Sequence, residues 1–267
     1  MFTINIDPVL VSFGHMAIHW YGVIVVLAIL AGVWLVSREA RRKGLPDSRL
    51  DSMITWVIVA GFTGARLLHV IDHWSVYAAD PVRALHIWEG GLAIWGAVLG
   101  GLVAMALFAW RHGLRLGFLA DMVAPGLVLG QAIGRVACII TGDAVGVPTD
   151  GPLGLAYVRP GAMVPQLGVY YTPVPVYEVV GNLLILGLIW RLRQKSLPDG
   201  LLFLVYLALY GVQRFVVGFG SSYQIVAWGM TQSQIIALLG LAVSIPLAYL
   251  VWRLHARATT VLVSSQD

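Results

Sequence analysis

The sequence predicts an all-α, polytopic membrane protein of seven transmembrane helices, and three observations carry that expectation. Hydrophobic residues make up 59% of the 267 residues and charged residues only 11%. Soluble domains carry about a quarter charged residues, so lipid is the solvent for most of this surface. Seven stretches are also apolar enough to span a bilayer, which takes about 20 helical residues: 17–37, 50–72, 91–110, 118–139, 175–192, 200–219 and 232–252. Finally, the basic residues alternate with the spans. SREARRKG with Arg49, RHGLR, RLRQK and WRLHAR hold twelve of the 17 Lys and Arg, and they follow spans 1, 3, 5 and 7. Arg83 and Arg159 are the only basic residues in the opposite loops. Basic loops stay in the cytoplasm, which sets the N-terminus outside and the C-terminus inside.

The elements follow in order. The opening MFTINIDPVL has no basic n-region and no small-residue cleavage site, so no cleavable leader is expected. HWYG (19–22) opens span 1 and puts Tyr21 at its outer end. Span 2 carries Arg66 in its outer part. WEGGLAIWGAVLGGL (88–102) forms span 3: Glu89 stands at the outer mouth, Gly90 and Gly91 open the helix, and Trp95 follows. Gly96 and Gly100 make a small-xxx-small pair suited to close helix packing. Span 4 runs into GQAIGRVACIITGDAVGVPTD (130–150), where Thr141, Gly142, Asp143 and Gly146 form a turn after Arg135. Residues 141–174 are rich in Gly and Pro and read as a loop or small extramembrane cap. In span 5, Pro175 suits a first helical turn, Glu178 lies one turn in, and Asn182 shares its face. In span 6, Tyr210 and Arg214 are one turn apart within LYGVQRFVVGFGSS (209–222). Internal repeats and broken helices in matching halves are absent, so residues 1–267 read as a single integral membrane domain.

Arg66, Arg135 and Arg214 are the anomaly. All three fall in the outer part of spans that run from inside to outside. An arginine at the centre of a span costs roughly 2.5–3.5 kcal/mol on insertion scales. Each side chain either snorkels to the interface or pairs with a carboxylate such as Asp72, Asp143 or Glu178, or together they form an outward-facing anion site. A guanidinium donates bidentate hydrogen bonds that match phosphate, and the natural anion at that depth is a phospholipid headgroup.

Other candidates keep two readings each. Glu178 is a substrate contact or a structural ion pair with one of the arginines. Tyr210 is a phenol tuned by a neighbouring guanidinium or a member of the interfacial aromatic belt. Asp143 orients Arg135 or a substrate hydroxyl. The single cysteine, Cys138, lies in an apolar span and reads as a small inert residue rather than a nucleophile. His69 and His73 are four apart but have no evident third ligand, so no metal site is expected.

Several of these segments together resemble the bacterial phosphatidylglycerol–prolipoprotein diacylglyceryl transferase family. The matches run in order: HWYG (19–22), GARLLHV (64–70), WEGGLAIWGAVLGG (88–101), DMVAPGLVLGQAIGR (121–135), GDAVGVPTD (142–150), VYEVVGNLL (176–184) and LYGVQRF (209–215). The resemblance implies transfer of the diacylglyceryl group of phosphatidylglycerol to the lipobox cysteine thiol of a prolipoprotein signal peptide. The products are a thioether and glycerol phosphate. It implies a multi-pass protein of the bacterial inner membrane, whose partners are phosphatidylglycerol, other membrane lipids and prolipoprotein signal peptides. No cofactor, metal or nucleic acid is implied. It casts Arg135 and Arg214 as holders of the lipid phosphate, Tyr21 and Tyr210 as site-lining residues, and Asp143 and Gly146 as members of the signature after span 4. The expected catalytic set is Arg135, Arg214, Tyr210 and Asp143. The expected substrate contacts are Tyr21, Arg66, Trp95, Gly142, Gly146 and Glu178.

The chain departs from the family pattern in places. Trp95 stands where many members have a histidine that is a candidate base, and Cys138 and Thr141 replace two asparagines of the signature. Asp143 replaces its glutamate, and Gly218 and Ser221 stand where a glutamate and an arginine usually follow LYGxxRF. Two other readings compete: a catalytically weakened relative that binds lipid or signal peptide, and a transporter or channel. The missing inverted repeats argue against the transporter, as does the lack of any charged series running to the inner side.

Overall fold

The computed structural model describes residues 1–14, 16–86 and 90–264. Glu89 therefore lies outside the described residues. Among the described residues, seven helices are long and apolar enough to cross a membrane: α1 (Trp20–Arg42), α2 (Asp47–Asp72), α4 (Ile94–Arg111), α5 (Leu116–Thr141), α6 (Val174–Leu192), α7 (Leu201–Gly218) and α8 (Gln232–Ser264). Between α2 and α4 lie a short helix α3 (Trp74–Ala79) and a 3-10 turn (Pro81–Leu85). Six short strands, not anticipated from the sequence, complete the elements among the described residues: β1 (Phe2–Ile4), β2 (Val9–Phe13), β3 (Met16–His19), β4 (Leu155–Tyr157), β5 (Ile225–Ala227) and β6 (Met230–Thr231).

Two helix starts fall later than the hydrophobicity alone indicates. Apolar residues from 17 onward suggested span 1, but Met16–His19 pairs antiparallel with Val9–Phe13, so the helix begins at Trp20. Gly90 and Gly91 do not open the third span. Both have positive φ, 82° and 76°, which only glycine adopts at low cost, and the helix starts at Ile94.

The chain divides into two compact units, residues 1–36 with 123–267, and residues 37–122. In the second unit, α2 and α4 pack backbone to backbone. A Cβ added at Gly96 would overlap the Gly64 carbonyl, and one at Gly100 would overlap the Ala60 carbonyl. Small residues supply such approach where lipid, rather than water, surrounds the helices. Leu67, Ile71, Leu99 and Val103 remain exposed, as lipid-facing residues do. Gly96→Leu is expected to lower the thermal midpoint of detergent-purified protein, since overpacking costs about 1–3 kcal/mol. An unchanged midpoint would show that the two backbones do not touch.

In the first unit, Ala124, Val128, Ile185, Ile189, Leu202 and Tyr206 form a buried cluster drawn from α5, α6 and α7. α8 packs on α7. It starts with a reciprocal cap in which the Thr231 amide donates to Gln234 Oε1 (2.9 Å) and the Gln234 amide to Thr231 Oγ1 (3.4 Å). Gln234 Nε2 also donates to the Phe215 carbonyl at 3.2 Å, tying the start of α8 to α7.

Residues 141–173 form a small cap. β4 pairs in parallel with β1, and Leu155 bridges Tyr171. Val145, Leu155, Tyr157 and Tyr171 are its buried core. This cap also finishes α5, whose last carbonyls need donors. Gly142 N–H donates to Cys138 O (2.9 Å), Tyr157 Oη to Ile139 O (2.8 Å) and Met163 N–H to Thr141 O (2.8 Å). Burial pushes the Tyr157 phenol up to about 12, so it stays protonated as a donor.

Candidate functional site

Three helices of the first unit bring charged side chains together at one end. Glu178, on the first turns of α6, is 1% exposed. Its Oε2 lies 2.7 Å from Arg135 Nε on α5, and its Oε1 accepts from Arg214 Nη1 on α7. One carboxylate thus holds two guanidinium groups, each largely buried. Gln213 Nε2 donates to the Glu178 carbonyl at 2.9 Å and fixes α7 against α6. Gly181 makes room for it, since a Cβ there would meet the Gln213 amide. Asn182, four residues after Glu178, is also buried.

The arginines are not saturated. A guanidinium has five N–H donors. Among the described residues, Arg135 Nη2 and Arg214 Nε and Nη2 have no protein acceptor. Arg135 Nη1 points instead to Cys138 Sγ at 3.8 Å, and that sulfur lies 3.9 Å from Asp143 Oδ2. Among the described residues, Asp143 therefore reaches Arg135 through Cys138. It is flanked by left-handed residues, Gly142 at φ 78° and Ala144 at φ 61°. The left-handed Gly142 ends the helix. Ala144 is strained there, at a cost on the order of 1–3 kcal/mol for residues in sparsely populated regions.

The remaining expected residues divide between the two units. Tyr21, at the start of α1, interacts electrostatically with Cys138, Asp143 and Arg135. Tyr210 stacks on Tyr206 with centroids 6.0 Å apart, and Tyr206 Oη donates to Gln131 Oε1 at 3.1 Å. No hydrogen bond joins Tyr210 to Arg214 among the described residues, but the phenol interacts electrostatically with Arg135. Gly146 has a packing role: its amide donates to Thr172 O (2.9 Å), and a Cβ would overlap the Gly220 carbonyl. Trp95 belongs to the second unit, half exposed at the second residue of α4.

Arg66, also in the second unit, pairs with no carboxylate among the described residues. Nε donates to Ala84 O (2.8 Å), Nη1 to Gly90 O (2.6 Å) and Gly91 O (2.9 Å), and Nη2 to Arg83 O (2.9 Å) and His86 O (3.3 Å). All five donors go to backbone carbonyls of one segment, which leaves none for a phosphate in this conformation.

Tyr223 was missed by the sequence reading. It follows α7, interacts electrostatically with Arg135, Arg214, Glu178 and Asp143, and its phenol is raised mainly by burial. It lies outside every recognisable motif, in the polar stretch Ser221–Ser222–Tyr223–Gln224. Gln131 and Gln213 were missed as well, although an intramembrane amide is itself a signal because it needs partners.

The sequence profile described as prolipoprotein diacylglyceryl transferase matches residues 8–252, a stretch that includes both arginines, Glu178 and Asp143. The chain belongs to the prolipoprotein diacylglyceryl transferase family. It is similar to the phosphatidylglycerol–prolipoprotein diacylglyceryl transferase of Dehalococcoides mccartyi (strain BAV1), 35% identical over 97% of this chain and 98% of that protein. The corresponding proteins of Thermosynechococcus vestitus (38% identical, 76% of each chain) and Shouchella clausii (32%, 91% of this chain and 89% of the relative) also match. Arg135, Glu178 and Arg214 form one charged triad within the matched stretch.

Proposed function

We propose that this membrane transferase moves the diacylglyceryl group of phosphatidylglycerol to the lipobox cysteine thiol of a prolipoprotein, the first step of bacterial lipoprotein maturation. Beside the family membership, the observation that carries this reading is the pair of guanidinium groups pinned by one buried carboxylate, with N–H donors left over. The leaving group is a phosphate ester on which negative charge develops as the carbon–oxygen bond breaks. Fixed cations lower the energy of that charge most in a site shielded from water. Glu178 keeps the two cations together in the absence of lipid and sets their spacing. Tyr21, Tyr210 and Tyr223 line the surroundings. Gly142 and Gly146 shape the backbone after α5. The acyl chains remain in the bilayer, so only the headgroup end needs a polar pocket.

The protein acts as a single multi-pass unit in the bacterial inner membrane, with its basic helix ends in the cytoplasm and the triad facing outward. Its reaction uses no cofactor or metal, and nucleic acid has no part in it. Trp95 stands in the position of the family histidine, half exposed, as a substrate contact.

The test is direct. Purified protein in phosphatidylglycerol vesicles is given a lipobox peptide, and the peptide mass and released glycerol phosphate are followed. A mass gain of one diacylglyceryl group on the cysteine, with glycerol phosphate released, is the expected result. Lipid binding without any product would favour the weakened relative over the enzyme.

A further inference from the structure

We propose that Asp143 is the general base that takes the proton of the acceptor cysteine thiol. This rests on the transferase reading above. The thiol must lose a proton to become the nucleophile, and Trp95 leaves no histidine at the family's candidate position. Among the described residues, Glu178 lies 2.7 Å from Arg135 Nε, and Asp143 is linked to Arg135 through the Cys138 sulfur. Glu178 is almost fully buried and held by both arginines, so a proton on it would break two ion pairs. Asp143 makes no ion pair among the described residues, and its side chain is not fully buried.

Its one side-chain partner among the described residues shows what the place accepts. Cys138 Sγ lies 3.9 Å from Asp143 Oδ2 and is oriented as its donor. The carboxylate is thus already set to receive a bond from a thiol, beside Arg135. Tyr21 from α1, Cys138 from α5 and Tyr223 from the segment after α7 interact electrostatically with Asp143. Phenols are protonated at neutral pH and do not compete as bases. The two left-handed residues that flank Asp143 turn it back toward the last turns of α5, and Ala144 holds that turn at a steric cost.

The step balances as follows. The S–H proton passes to the Asp143 carboxylate. The thiolate sulfur forms a bond to the glyceryl carbon as that carbon's bond to the phosphate oxygen breaks. The electron pair of the broken bond leaves on glycerol phosphate, which then accepts the proton from Asp143 directly or through water.

A pre-ionised nucleophile tests the role. Full-length protein in phosphatidylglycerol vesicles is given two lipobox peptides, one with cysteine and one with selenocysteine, whose selenol is already ionised at neutral pH. Asp143→Asn is expected to lose about 10²-fold or more on the cysteine peptide, the range of a general base. On the selenocysteine peptide it should stay within a few-fold of the unaltered protein. Its residual rate on the cysteine peptide should climb about tenfold per pH unit as the thiol ionises. Asp143→Ser is run in parallel, and whichever variant keeps the unaltered thermal midpoint is read. Equal losses on both peptides overturn the proposal, because a residue that only shapes the site is not bypassed by a better nucleophile. If the unaltered protein modifies neither peptide, the transferase reading itself fails.

Discussion

Arg135→Ala is expected to reduce diacylglyceryl transfer about 10²–10³-fold at saturating lipid, the effect of removing one fixed donor from a developing anion. Arg135 combines two roles that no other described residue shares. It contacts Glu178 through Nε and Cys138 through Nη1, and it keeps a free Nη2. Arg135→Lys should recover little, because an ammonium cannot span both contacts and still present a planar edge to phosphate. The decisive measurement is turnover at several lipid concentrations. If the loss disappears at high phosphatidylglycerol, Arg135 contributes only to lipid capture and not to the departing charge.

Glu178→Ala should have the largest effect on stability. A buried carboxylate between two guanidinium groups cannot be removed without leaving two like charges side by side. Removing one partner of a buried ion pair costs about 3–5 kcal/mol. Glu178→Gln keeps the shape but not the charge and should fall between the two. The coupling is testable in a double-mutant cycle. Arg214→Ala in the Glu178→Ala background should cost much less than in the unaltered protein, since the remaining arginine then has no crowding neighbour. Strictly additive thermal unfolding shifts would show that the three side chains do not act as one cluster.

The seven helices were legible because a membrane span is a local property: about 20 apolar residues suffice wherever they occur. The backbone contact of α2 with α4 was half legible, since Gly96 and Gly100 announced close packing but not the partner. The triad was less so. Glu178 could be read as an ion pair with one arginine, but that it holds two depends on how α5, α6 and α7 are arranged, which no spacing rule encodes. The cap strands escaped notice because β1 and β4 have three residues each and pair across five intervening helices, α1 to α5. Tyr223 escaped because its stretch carries no periodic pattern. The environment of Arg66 was hidden for a deeper reason. Its acceptors are main-chain carbonyls, which every residue has, so side-chain identities in that segment could not reveal them.

That arrangement of Arg66 bears on how the protein is made. During synthesis α2 leaves the ribosome before any of its arginine's acceptors, which belong to residues 83–91. Alone in the bilayer, the helix would carry an unsatisfied cation, a burden bounded by the roughly 2.5–3.5 kcal/mol of an arginine at the centre of a span. The debt is relieved when the following segment arrives, and α4 comes directly behind it. α2 and α4 are therefore best regarded as one unit of biogenesis, a hairpin that enters the membrane together, with Arg66 as the latch that closes when the second arm is in place.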